Sequence, residues 1–91
     1  MWENISRFIS SLTSVAYKIT KGGKVRFKLA LNLKEGDFVT SEKDYTKYDV
    51  YYIHSNPKLL KDGSLEIQYS SVAETDNDLI WKNYRKLVNE D

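Results

Sequence analysis

The sequence predicts an α+β fold, an antiparallel sheet of about five strands with an N-terminal and a C-terminal helix. Several runs alternate apolar and polar residues, which is the period of a half-buried strand. Glycine-bearing turns separate these runs, and both ends of the chain carry apolar residues at helical spacing. A small, partly closed β-barrel with terminal helices meets the same pattern and is the alternative. Ninety-one residues, 41% apolar and 13% aromatic, make a single domain spanning 1–91 with a modest core.

Taken in order, Trp2, Ile5, Phe8, Ile9 and Leu12 lie on one helical face and predict a short helix to about Ser11. A single helix running on through Val15, Ala16 and Ile19 to Thr20 is the competing reading. Against it, Val15, Tyr17 and Ile19 alternate with polar or small residues. Gly22 and Gly23 then supply the positive φ of a tight turn, and Val25, Phe27, Leu29 and Leu31 alternate again. That predicts a β-hairpin around Lys21-Gly22-Gly23-Lys24, with its second strand over 24–33.

Glu35-Gly36-Asp37 reads as a turn, Phe38 to Thr40 as a short strand, and Ser41 to Lys47 as a charged loop. Tyr48 to Ser55 has sizeable apolar or aromatic residues on both faces, the mark of a central strand. Asn56-Pro57 interrupts it, because proline has no N–H for the ladder. Asp62-Gly63 is a hairpin signal, and Leu65, Ile67 and Tyr69 form a last strand to about Val72. Thr75 with Asp78 resembles a capping box opening a helix whose apolar face is Ile80, Trp81, Tyr84, Leu87 and Val88.

Charge is unevenly divided. Seven Lys/Arg against two Asp/Glu leave residues 1–36 at +5, whereas seven against eleven leave residues 37–91 at −4. Such polarity bears on association rather than on fold, and head-to-tail pairing into a homodimer is one outcome of it. No cysteine is present, so disulfides and thiolate metal sites are excluded. The start of the chain has no basic n-region and no apolar run reaches the ~18 residues of a membrane span, so a cytoplasmic protein off the membrane is expected. Eleven Lys against three Arg, with abundant Asn, Ile and Tyr, fit an AT-rich genome such as those of many phages and mobile elements.

Catalytic chemistry has few candidates. His54 is the sole histidine and has no Cys or His partner for a triad or a zinc site. A partly buried structural role is the first reading. Acid–base work in RNA cleavage beside Lys24, Arg26 or Lys28 is the sharper one. Asp37, Glu42, Asp44 and Asp49 read as a solvated loop and lack the alternation and central glycine of a calcium loop. No metal or cofactor is implied.

Two surface patches point to binding instead. Lys18, Lys21, Lys24, Arg26 and Lys28 would decorate the hairpin, as in single-strand nucleic-acid binders, although lysines also guard ordinary sheet edges. Tyr45, Tyr48, Tyr51 and Tyr52 fall within eight positions. Tyr51 and Tyr52 are expected in the core with Tyr69. Tyr45 and Tyr48, beside Asp44 and Lys47, are expected to be exposed as a protein contact. The first functional reading is therefore a small non-enzymatic macromolecule-binding protein, an inhibitor or adaptor of a phage or mobile element acting on a host protein. The alternative is a single-stranded nucleic-acid or RNA-binding module using the basic hairpin. The third is a small ribonuclease using His54.

Overall fold

The structure, a computed structural model, describes residues 6–10, 15–29 and 32–89. Its strands are β1 (Ser6–Ser10), β2 (Val15–Ile19), β3 (Val25–Leu29), β4 (Phe38–Thr40), β5 (Val50–Ile53), β6 (Lys58–Leu59) and β7 (Leu65–Ser71). One helix, α1 (Asp78–Val88), follows. All the strand pairs are antiparallel, in the order β1-β7-β5-β4-β2-β3, and β6 also pairs with β7. The α+β class holds. Among the described residues β1 and β3 are not paired, so the sheet is open rather than closed into a barrel.

The expected N-terminal helix is not formed where the chain is described. Ser6–Ser10 is a strand, in register from Ser6 opposite Tyr69 to Ser10 opposite Leu65. The rest of that predicted face, Trp2, Ile5 and Leu12, lies outside the described residues. Strand β7 has β5 and β6 along one side, and without β1 its other row of N–H and C=O groups would be an open edge. Short apolar runs suit either state, and here the available edge decides.

The hairpin formed by β2 and β3 is present, with Tyr17 opposite Phe27 and Ile19 opposite Val25. Its turn, Lys21–Gly23, places Gly22 and Gly23 at φ of 80° and 77°, where a side chain would be strained. Strand β5 is central, with Val50 and Ile53 both buried. Tyr48 and Asp49, however, belong to a 3-10 turn at Lys47–Asp49 rather than to the strand. Beyond β5, Gln68 N–H donates to Ser55 Oγ at 3.3 Å, and Pro57 leads into β6. At the Asp62-Gly63 turn, Ser64 donates its hydroxyl and its N–H to Asp62, which holds that carboxyl below its usual range.

Helix α1 is capped by Asn77, whose Oδ1 accepts from Leu79 and Ile80 N–H, not by the Thr75/Asp78 pair. Thr75 Oγ1 instead accepts from Asn77 N–H at 3.1 Å and shapes the chain one step earlier. The predicted apolar face is the buried one. Ile80 and Tyr84 are buried, and Trp81, Leu87 and Val88 pack beside them.

Opposed residues of a ladder share a face, which sorts the core into two layers. Ile19, Phe38, Val50 and Tyr52 face α1 together with Val72. Leu33, Val39, Ile53, Leu65 and Ile67 form a second cluster with Tyr51 and Tyr69, which meet edge-on at 5.4 Å. No helix among the described residues is long and apolar enough to cross a membrane.

Candidate protein-binding site

The loop between β4 and β5 owes its shape to one carboxylate. Asp49 Oδ2 accepts from Thr46 N–H at 2.8 Å and from its hydroxyl at 3.2 Å, while Thr46 Oγ1 accepts from Tyr48 N–H at 3.3 Å. This reciprocal capping box, placed on a 3-10 turn, fixes the backbone on which Tyr48 stands. Tyr48 is 68% exposed, and Lys47 Nζ lies 5.6 Å from its ring centre. An exposed aromatic on a pre-shaped turn gives contact area with little ordering left to do on binding.

Tyr45 does not share that exposure. It is half-buried against the helix-side core, and its hydroxyl donates to Gly23 carbonyl at 2.7 Å, so it ties the loop to the hairpin tip. A phenol long enough to reach the neighbouring turn finds a partner there, which sequence spacing could not show. Asp44 and Lys47 are exposed. A cleft of about 510 Å³ lies here, lined by Gly22, Gly23, Tyr45, Thr46, Lys47, Tyr84 and Val88. Three segments far apart in sequence thus meet at one end of the molecule. In the sequence two of these segments point to different functions and the helix end to none, because no local pattern records which turn a helix terminus will touch.

The register sets Lys18, Arg26 and Lys28 at positions of one sheet face, with Lys21 in the turn. Lys18 lies opposite Arg26 in the β2–β3 register and opposite Val39 in the β2–β4 register, on the face away from α1. It is not a free surface cation, since its Nζ is 3.2 Å from the buried carboxylate of Asp37. Asp37, read as a solvated loop acid, also accepts from Lys34 N–H at 3.1 Å. Arg26 is exposed on that face, and Lys28 stands opposite Ala16. Lys21 and Lys24 are exposed at the tip, on either side of the two glycines.

His54 is half-buried, with Nε2 2.7 Å from Ser70 Oγ and its ring edge-on to Tyr52 at 4.9 Å. Strands β4 and β2 stand between β5 and β3, which sets the basic hairpin strand roughly 14 Å from the histidine's strand at the usual inter-strand spacing. The fold therefore does not bring His54 together with Arg26 or Lys28. Among the described residues no group of three or more His, Asp or Glu gathers as a metal site. No protein-family model, curated protein or solved structure matches the chain.

Proposed function

We propose that this protein is a non-enzymatic binding protein that occupies a surface of another protein, with Tyr48 at the centre of its contact. The observation that carries the reading is the 68% exposure of Tyr48 on a turn held by the Thr46–Asp49 capping box. Tyrosine is among the residue types whose truncation costs most at protein interfaces. The Lys-rich, AT-leaning composition extends the proposal to an inhibitor or adaptor of a phage or mobile element acting on a host protein. Nucleic-acid binding by the hairpin is the weaker reading, because Lys18, which shares the basic face with Arg26, is already paired with Asp37.

The test is retention of a partner from host lysate at moderate salt after nuclease treatment, with wild type and Tyr48→Ala compared. A contact of this kind contributes about 2 kcal/mol or more, so Tyr48→Ala should lose the partner while melting within a few degrees of wild type. Full retention by Tyr48→Ala sinks the proposal. Binding of RNA or DNA in an electrophoretic shift that fades steeply between two salt concentrations would favour the nucleic-acid reading instead.

A further inference from the structure

We infer that the cleft between the hairpin tip, the Tyr45–Tyr48 loop and the end of α1 receives an acidic segment of the protein partner, with one apolar side chain of that segment entering it. The inference rests on the reading of Tyr48 as a protein contact and adds the chemistry of what is recognised there.

The cleft's size bounds its occupant. At about 510 Å³ it falls in the roughly 300–1,000 Å³ range of ligand-sized pockets, enough for a side chain and adjoining backbone but not for a docked helix. Its walls are joined in advance, because the Tyr45 hydroxyl bond to Gly23 couples the loop to the hairpin. The absence of a side chain at Gly23 keeps the space open. A Cβ there would stand 3.3 Å from the Tyr45 hydroxyl and 3.6 Å from Val88 Cβ. Tyr84 and Val88, one turn apart on α1, add an apolar wall against which an aliphatic side chain can lie.

Charge selects the sign of the partner. The one charged residue lining the cleft is Lys47, and exposed Lys21 precedes the glycines on the opposite wall. In the last turn of α1, exposed Arg85 follows Tyr84, while Lys86 stands on the opposite side of the helix. The loop's counter-charges are two, Asp49 bonded to Thr46 and exposed Asp44 beside Tyr45, against the cations Lys47, Lys21 and Arg85. A segment with carboxylates around a single apolar residue is complementary to this arrangement. A nucleic-acid strand is less so, since Arg26 and Lys18 lie on the opposite sheet face from the helix that walls the cleft.

The experiment is an amide NMR titration of the full chain with a capped Glu-Glu-Leu-Glu-Glu peptide, alongside a Lys-Lys-Leu-Lys-Lys peptide and an oligothymidylate. The acidic peptide should give saturable shifts at Gly22, Gly23, Thr46, Lys47 and Val88, and the basic peptide none. Lys47→Glu should weaken the acidic peptide about tenfold, and Lys58→Glu, on distant β6, should not. Absence of saturation with a Kd below about 1 mM, or equal shifts from oligothymidylate, overturns the inference. Pull-down separates the two readings. A partner kept by Lys47→Glu and lost by Tyr48→Ala removes the acidic-segment inference and leaves the Tyr48 contact standing.

Discussion

At the scale of single residues, Lys18 changes character between sequence and structure. Alternation places it on a polar strand face with Arg26, and both look like solvated cations. Packing puts it over Asp37, whose side chain is only 5% exposed, against 25% for Lys18. Removing the lysine would leave that carboxylate with the Lys34 N–H as its one remaining partner among the described bonds. Lys18→Gln should therefore cost about 1–3 kcal/mol, discounted from a fully buried pair because Lys18 still meets water. Arg26→Gln should cost less than about 1 kcal/mol, as exposed charges do. Urea denaturation of the two variants checks this, and equal midpoints would mean that Lys18 contributes nothing beyond surface charge. Tyr45 shows the same effect in an aromatic, since its bond to Gly23 makes it part of the scaffold while Tyr48, three residues on, is presented outward.

At the scale of elements, α1 follows its sequence most closely, because a helical face is a local pattern and its burial needs only a sheet to rest on. The weights within that face are set by depth. Tyr84 is 3% exposed and meets Phe38 at 5.7 Å, whereas Trp81 is half-buried, with its indole N–H donating to Thr75 carbonyl at 3.1 Å. Tyr84→Ala should cost about 3–5 kcal/mol and come close to unfolding a domain of this size. Trp81→Ala should cost visibly less despite deleting the larger side chain. Thermal melts of the two variants test the order, and the reverse ranking would mean that the helix is rotated from the described packing. Strand β1 is the opposite case, since five residues compatible with either state become a strand only because β7 has a free side.

For the whole molecule, the charge polarity of the sequence is redistributed by the fold. The basic first third puts Lys18, Arg26 and Lys28 at positions of the sheet face away from α1, where Lys18 is paired with Asp37, and Lys21 at the hairpin tip beside the cleft. A two-fold dimer through the cleft would oppose lysine to lysine, which leaves head-to-tail contact as the favourable mode of self-association. Any such dimer should weaken as salt shortens the screening length from about 10 Å at 0.1 M to about 3 Å at 1 M. Sedimentation equilibrium at both salts measures it. A dimer that persists at 1 M and dissociates in Tyr48→Ala would instead place the contact on the tyrosine.

The sequence by itself determined the α+β class, the hairpin around Gly22-Gly23, the central strand, the two tyrosines that fill its sides, and the buried face of the C-terminal helix. Each of these is written within a few residues, in a period, a turn or a proline break. The tertiary structure alone decided that Ser6–Ser10 is a strand, that Asn77 and not Thr75 caps α1, that Lys18 pairs with Asp37, and that the cleft exists. Those outcomes depend on which backbone edge is open, which hydroxyl reaches which carbonyl, and which turn a helix end meets. Apart from the Asn77 cap, which is a choice between neighbouring cap residues, they are contacts between segments distant in sequence, and no local pattern encodes them.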